Sequence, residues 1–330
     1  MKPVLIWGAR GFLGRNLVRG FLAEGRPVTA LTRRRNSGNP FAEHPLLRVV
    51  HLPERPADWD ILPRVIAESE LIYGLAGVSG AVASNCDPVA SLEGNCLIHA
   101  AFLSACAKAG NKPHVVFPSS RLVYGTPDTL PVSESAQPRP ASVYAAHKLC
   151  VEHYYQIAAA RGEISYTICR ISNPYGLQDG QSGRGYGFIS QLIEKGLKGQ
   201  PLTIFGDGGQ TRDYLHIDDL VQALWLCGSR IAGLNEILNI GSGEGITIRE
   251  AAAAVQKLRD VPIVHVPWPE EDWRVESGDY VADIGKARAA IGFEPRFQFQ
   301  QGFEDLAYKY RQDELDRFGG VELVRQQLQL

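Results

Sequence analysis

Residues 4–14 read Val-Leu-Ile-Trp-Gly-Ala-Arg-Gly-Phe-Leu-Gly, an apolar run followed directly by a glycine-rich turn. The pattern indicates a buried strand that leads into a helix. Gly8 permits a tight turn, and Gly14 allows the helix to pack closely on the strand. Gly11 lets a pyrophosphate approach the backbone where the helix N-terminus offers N–H donors and partial positive charge. The stretch therefore predicts a dinucleotide-binding unit with G-x-x-G-x-x-G spacing.

The segments that follow this turn alternate in a regular way. Over residues 3–165, short apolar runs rich in branched residues alternate with longer stretches of helical periodicity, which is typical of β-α-β units around a parallel sheet. The predicted strands are 3–7, 27–32, 47–52, 70–75, 113–118 and 164–169, and the predicted helices are Phe12 to Ala23, Val89 to Ala109 and Ser142 to Ala160. We expect an α/β protein with a doubly wound parallel Rossmann sheet.

A second lobe is predicted where this alternation loosens. After about residue 173, glycine and proline become frequent and the connections irregular. We expect residues 1–172 to form the NAD(P)-binding domain, with a later return segment near 213–241, and residues 173–330 to form most of a smaller substrate-binding lobe. Residues 313–330 predict a surface helix.

Composition excludes several classes of protein. With 330 residues, 45% hydrophobic and 21% charged, the chain is neither disordered nor fibrous. A formal charge of −2 without long runs of one sign disfavours nucleic-acid binding. We find no apolar stretch of about 18 residues and no signal peptide, so we expect a cytoplasmic location and no membrane partner. Six scattered cysteines without C-x-x-C pairs predict reduced core residues and no metal site.

The second predicted strand bears on the choice of cofactor. An acidic residue at its end would accept hydrogen bonds from the ribose of NAD, but Arg33, Arg34 and Arg35 stand there instead. Together with Arg10 of the glycine turn, these arginines suit a 2′-phosphate. The sequence therefore mildly favours NADP over NAD, while a solvated basic loop stays open as an alternative.

Three polar residues predict an acid–base site. Tyr144 and Lys148 are four residues apart and so share one helix face. Lowering the pKa of a phenol from 10 to near 7 takes about 4 kcal/mol. An ammonium about 4 Å away supplies roughly that amount at an effective dielectric near 20. Ser120 closes the fifth predicted strand and can hydrogen-bond the reacting oxygen.

Further motifs accompany this set along the chain. They are Ser119-Ser120-x-x-Val123-Tyr124-Gly125, Arg170-x-x-Asn173-Pro174-Tyr175-Gly176, Gly206-Asp207-Gly208-Gly209-Gln210-Thr211-Arg212-Asp213-Tyr214 and Asp283-Ile284-Gly285-Lys286-Ala287. Together they resemble the extended short-chain dehydrogenase/reductase family over nearly the whole chain. The closest likeness is to its nucleotide-sugar epimerase/dehydratase branch, in the manner of UDP-glucose 4-epimerases.

The resemblance implies roles for particular residues. Ser120, Tyr144 and Lys148 would be catalytic, and Ser120, Asn173, Arg212 and Arg274 would bind substrate, the arginines at its diphosphate. Arg274 does not match the family pattern, in which an arginine commonly stands two residues before a Gly-Asp or Asp. In this chain Glu276 holds the position two residues before Gly278-Asp279. The cofactor-binding set would be Gly8, Arg10, Gly11, Phe12, Leu13, Gly14, Arg33, Arg34, Leu75, Ala76, Tyr144 and Lys148.

The resemblance leaves two reactions open. Arg121-Leu122 stands where the family's 4,6-dehydratases carry Asp-Glu, which disfavours dehydration. We expect an epimerase of a nucleotide-diphospho sugar, at C4, working by reversible hydride transfer to bound NAD(P), with NADPH-dependent 4-ketoreduction of a nucleotide 4-keto sugar as the alternative. A reductase of hydrophobic ketones and a non-enzymatic cofactor sensor are weaker rivals. The resemblance also implies a homodimer built on helices Val89 to Ala109 and Ser142 to Ala160.

Overall fold

The computed structural model describes residues 2–33, 41, 43–177, 185–230 and 233–317. Its strands are β1 Val4–Trp7, β2 Val28–Arg33, β3 Leu47–Leu52, β4 Leu71–Gly74, β5 His114–Ser120, β6 Ser165–Ile171, β7 Asn173–Leu177, β8 Gly185–Tyr186, β9 Leu202–Phe205, β10 Thr211–His216, β11 Glu236–Ile240, β12 Gly245–Thr247 and β13 Ile263–Val266.

The α-helices include those predicted over Phe12 to Ala23 and Ser142 to Ala160, whereas α2 and α3 were not predicted. They are α1 Phe12–Ala23, α2 Leu62–Ala67, α3 Ala81–Cys86, α4 Pro88–Leu92, α5 Ile98–Ala109, α6 Val143–Ala160, α7 Gly187–Leu197, α8 Ile217–Arg230, α9 Ile248–Leu258, α10 Glu270–Trp273, α11 Gly285–Ile291 and α12 Phe299–Arg317. Of the predicted surface helix over 313–330, residues 318–330 lie outside the described residues.

The main sheet has seven parallel strands in the order β11-β6-β5-β4-β1-β2-β3. Helices cover both faces, with one hydrophobic core between the sheet and α1, α8 and α11 and another between the sheet and α2, α5 and α6. The expected doubly wound Rossmann sheet is confirmed. Because all of its strands are parallel, the residues that follow β1, β2, β4 and β5 meet at one edge.

The later part of the chain forms smaller sheets around a separate core. Strands β12, β10, β7 and β8 make a four-stranded sheet, and β13 pairs with β9. Helices α7, α9 and α12 pack with these strands around Tyr175, Leu192 and Phe303. Asn173 begins β7 and lies opposite Tyr214 of β10, which brings two distant motifs side by side.

The helix predicted over Val89 to Ala109 is interrupted. A π-helical segment, Glu93–Leu97, joins α4 to α5. Asn95 lies in this segment and its Oδ1 accepts a hydrogen bond from Val78 N at 3.1 Å. Against the expectation from the sequence, Pro88–Ala109 is long and apolar enough to cross a membrane by length and composition, with a mean hydropathy of 1.3, although half of that stretch is buried in the fold. The same properties suit a core helix packed against a sheet.

The cysteines are free thiols. Cys96, Cys106, Cys169 and Cys227 are buried, Cys150 is partly buried and Cys86 is exposed. Within the described parts of the chain, no three His, Cys, Asp or Glu side chains are grouped so that they could hold a metal ion.

Candidate active site

A cavity of about 840 Å³ opens at the carboxyl edge of the main sheet. Its wall joins the glycine turn after β1, the end of β5, one face of α6 and the strands β7 and β10. The predicted site residues that line it are Gly8, Gly11, Phe12, Leu13, Gly14, Leu75, Ser120, Tyr144, Lys148, Asn173 and Arg212. Residues separated by up to about two hundred positions therefore share one enclosed space.

The glycine turn has the geometry that a dinucleotide needs. Helix α1 starts after Gly11 with no side-chain cap and no acidic residue in its first turn. Its first N–H groups are thus available to an anion. A Cβ at Gly8 would lie 2.6 Å from Ala76 N, and one at Gly14 would lie 2.4 Å from Gly8 O. These contacts explain both glycines by close packing of the turn, and the uncapped start of α1 beside it fits the pyrophosphate of a bound dinucleotide.

A buried histidine that we did not predict holds the backbone that packs against the glycine turn. His99 Nε2 donates to Ala76 O at 3.0 Å, and Tyr155 OH lies 3.1 Å from His99 Nδ1. Burial lowers the pKa of His99 to about 3, so its ring is neutral. Ala76 itself is not among the residues that line the cavity. No local sequence signal identifies His99, because its role depends on contacts with two other elements.

Tyr144 and Lys148 face the same cavity from α6. Lys148 Nζ donates to Pro118 O at 2.8 Å and lies 5.7 Å from the centre of the Tyr144 ring. Burial lowers the pKa of Lys148 to about 8, against an opposing effect of Glu152. Burial, with a smaller contribution from Tyr186, raises the pKa of Tyr144 above its usual value. Lys148 is not among the groups that shift the pKa of Tyr144 here.

The two serines at the end of β5 have different partners. Ser120 caps the short helical turn Arg121–Tyr124, and its Oγ accepts from Leu122 N at 3.2 Å. A hydroxyl that accepts one bond can still donate its proton to a ligand. Ser119 instead donates to the buried carboxylate of Glu152. The neighbouring serines are therefore not interchangeable, and Ser120 is the one suited to contact a substrate.

Several polar atoms on one wall of the cavity have no partner among the described residues. Ser172 Oγ, Asn173 Oδ1 and Tyr214 OH are buried and make no hydrogen bond within that part of the chain, and all three residues line the cavity. Leaving such an atom unsatisfied costs about 1–3 kcal/mol. Their grouping on one wall indicates a polar ligand that completes these bonds.

The structure separates the two arginines predicted to bind the diphosphate. Arg212 lines the cavity. Arg274 does not line it, and its side chain is 59% exposed and paired with Glu270 and Glu271. The acidic residues three and four positions earlier on α10 account for this local pairing. The structure thus does not bring Arg274 to Arg212.

Two of the arginines predicted to select NADP are also off the cavity wall. Arg10 and Arg33 are not among its lining residues, and Arg34 lies outside the described residues. Thr32, next to Arg33 on β2, has its Oγ1 2.8 Å from His51 Nδ1.

Aromatic residues that sequence reasoning missed line both ends of the cavity. Tyr186 stacks on Phe12, with ring centres 4.4 Å apart, and Phe205 packs on Trp268 at 5.3 Å. Arg121 also lines it. Isolated aromatic residues carry no spacing signal, because the same residue types also fill ordinary cores.

Comparison with known proteins places these features in context. The NAD dependent epimerase/dehydratase family model matches residues 4–241. UDP-glucose 4-epimerase of Mycolicibacterium smegmatis is 30% identical over 321 residues, which is 93% of this chain and 98% of that protein.

Two solved structures are similar in both sequence and fold. MoeE5 in complex with UDP-glucuronic acid and NAD is 29% identical, with a TM-score of 0.82 over 94% of this chain and 99% of that one. UDP-glucose 4-epimerase of Thermotoga maritima with UDP-glucose is 25% identical, with a TM-score of 0.84 over 95% of this chain and 99% of that one. The family description and the MoeE5 complex name NAD, so the NADP preference predicted from the arginines is not supported.

Proposed function

Because this chain belongs to the NAD-dependent epimerase/dehydratase family, we propose that it epimerises a nucleotide-diphospho sugar at C4. The observation that carries the proposal is the shared cavity, in which Ser120, Tyr144 and Lys148 stand between the glycine turn and the polar wall at Asn173. The likeness to UDP-glucose 4-epimerase over nearly the full length of both chains supports the same reaction class.

The cofactor is held by the glycine turn. The uncapped N-terminus of α1 binds the pyrophosphate, and Gly11, the residue before the helix, lets it approach the backbone because it has no side chain. When bound, the nicotinamide supplies the reversible hydride acceptor at the sugar carbon. We propose NAD as the resident form, since the family and the MoeE5 complex both name it.

Proton transfer falls to Tyr144. Its phenolate takes the proton from the sugar hydroxyl, and the phenol so formed later returns it, while Ser120 donates a hydrogen bond to the same oxygen. Lys148, fixed by its bond to Pro118 O, provides the positive charge that favours the phenolate. Burial alone raises the pKa of Tyr144, so the lysine and the positive charge of an oxidised nicotinamide must together offset that effect.

The polar wall holds the rest of the substrate. Asn173, Ser172 and Tyr214 complete their hydrogen bonds with the sugar nucleotide, and Arg212 faces its diphosphate. An anchored diphosphate keeps the oxidised sugar in the cavity while it turns to present its other face. We propose that residues 1–172, with the return segment near 213–241, hold the cofactor and that most of 173–330 holds the sugar nucleotide.

The test is to incubate the purified protein with UDP-, dTDP-, GDP- and CDP-sugars without added cofactor. We expect a C4 epimer to form with no net consumption of cofactor, and NAD to be released when the protein is denatured. If product forms only when NADPH and a 4-keto sugar are supplied, the protein is the alternative 4-ketoreductase. Release of NADP instead would show that the preference predicted from Arg10 and Arg33 is right and that the resident cofactor is not NAD.

We also propose that the protein is a homodimer through helices α4 to α6. Val89, Leu92, Leu97 and Ile157 are between 48% and 64% exposed on these neighbouring helices. A group of exposed apolar side chains on two adjacent helices suits a self-complementary interface.

A further inference from the structure

The outer donors of Arg212 are occupied by a carboxylate of this same chain. Arg212 Nη2 donates to Glu276 Oε1 at 2.5 Å and to Oε2 at 2.7 Å. Its Nη1 donates to the carbonyls of Thr211 at 3.0 Å and Gly278 at 2.8 Å. Four of the five N–H groups of this guanidinium are therefore used, and within the described residues only Nε–H remains for a ligand.

The pair lies in a mostly enclosed place. The side chains of Arg212 and Glu276 are 9% and 14% exposed, and Gly278 N donates to Glu276 Oε1 at 2.9 Å. A carboxylate and a phosphate present similar paired oxygen acceptors to a guanidinium. Glu276 thus occupies the position on Arg212 that a phosphate oxygen pair would take.

A second guanidinium adjoins this pair. Arg121 lines the cavity, is buried and donates to Ser277 Oγ at 2.9 Å, and its cation lies over the Tyr280 ring. Burial and the nearby Arg212 lower the pKa of Arg121 to about 10. No ion pair in the described part of the chain includes Arg121. The cluster therefore has two guanidinium groups and one carboxylate, an excess of one positive charge.

We propose that Glu276 competes with the substrate at the anion-binding end of the cavity: the substrate's phosphate binds Arg212 by displacing the Glu276 carboxylate, and Arg121 supplies the second positive charge. The inference rests on the proposed function, since it takes a nucleotide diphosphate as the ligand. Leaving Glu276 in place would put like charges together in a poorly solvated site. Because the Glu276 carboxylate must first be displaced, every ligand that binds through Arg212 binds more weakly than it would without this charge.

Calorimetric titration with UDP and with uridine tests the exchange. Glu276→Gln keeps the size and one carbonyl acceptor of the side chain but removes its charge. We expect it to lower the Kd for UDP at least tenfold and to leave uridine binding unchanged. Glu294→Gln, which neutralises an exposed partner of Arg288, is the matched control and should change neither. Circular dichroism verifies that each variant is folded.

The outcomes separate the two proposals. If the wild type binds UDP and epimerises sugars but Glu276→Gln binds UDP equally or more weakly, the exchange is wrong while the proposed function stands. If neither protein binds UDP, dTDP, GDP or CDP at millimolar concentration, the anion-binding site and the nucleotide substrate both fail. In the Glu276→Gln background, Arg121→Gln should raise the Kd for UDP at least fivefold with uridine unchanged, and an unchanged UDP affinity would remove Arg121 from the site.

Discussion

Glu152 lies one helical turn beyond Lys148 on α6, and its buried carboxylate accepts hydrogen bonds from Arg170 at 2.7 and 3.2 Å. Ser119 donates to the same carboxylate, and the Arg170 guanidinium also lies over the Tyr124 ring. A buried ion pair thus ties α6 to the ends of β5 and β6. It fixes the helix that carries Tyr144 and Lys148 against the edge where the cavity opens.

Removing one partner of this pair should destabilise the fold strongly. Arg170→Met leaves the Glu152 charge buried without its partner, and we expect the free energy of unfolding to fall by about 3–5 kcal/mol. Urea denaturation measures the change.

The double variant Glu152→Leu/Arg170→Met should recover most of the loss, because no unpaired charge remains. Equal stability of the single and double variants would contradict this account. Arg48→Met, which breaks an exposed pair with Glu68, should change stability little.

Glu152 should also set the pH dependence of the reaction through Lys148. The pKa of Lys148 is lowered by burial to about 8, so its ammonium dominates below that pH and is lost above it. Since the ammonium is the form that stabilises a phenolate, kcat should decline as the pH rises through about 8. The carboxylate of Glu152 raises this pKa, and Glu152→Gln should therefore move the decline to lower pH.

The pH profile of kcat between 6 and 10 measures this shift. The control variant Glu68→Gln removes an exposed carboxylate far from Lys148 in the sequence and should leave the profile unchanged. A profile that Glu152→Gln does not move would show that Lys148 is not the group whose ionisation is observed. Circular dichroism confirms that the compared variants are folded.

Local patterns were sufficient for six of the seven strands of the main sheet, whereas β11 was not among the predicted strands. Helix α1 spans the predicted residues Phe12–Ala23, and β3 spans the predicted residues 47–52. Both are bounded by signals within a few residues, namely glycines around α1 and prolines around β3. The π-helical segment Glu93–Leu97 was missed because it involves a contact of Asn95 with Val78, far from it along the chain.

The candidate site was predictable where spacing on one element decides it. Tyr144 and Lys148 share a helix face, and both reach the cavity. The charge partners were not predicted. Arg212 pairs with Glu276, which lies 64 residues away in the sequence and comes close only in the folded chain, and Arg274 pairs with acidic residues of the short helix α10. Sequence spacing indicates which side chains can cooperate, whereas tertiary contacts decide which of them are already paired.

Tyr144→Phe removes the only group to which the proposed mechanism assigns proton transfer. We expect kcat to fall by about 10²–10⁴-fold, since positioned acid–base groups contribute that much. Cofactor retention, read from the absorbance of the purified protein, should be unchanged, because the glycine turn holds the pyrophosphate. Tyr154→Phe, on the same helix but not among the residues lining the cavity, is the matched control. Full activity of Tyr144→Phe would exclude the proposed mechanism.

The apolar face of α4 to α6 predicts the oligomeric state. Val89 and Leu97 are 64% and 51% exposed, so a charge at either position disturbs no core but would be buried in a dimer. We expect Val89→Asp and Leu97→Asp to shift the mass measured by light scattering from twice 36.2 kDa to 36.2 kDa. Leu234→Asp changes an apolar residue that is 56% exposed and lies outside these helices, and this control variant should remain dimeric.

A wild-type protein that is monomeric at micromolar concentration would rule out the interface. Conversely, a dimer that survives both aspartates must use a different surface, because neither charge could be accommodated at an interface centred on these helices.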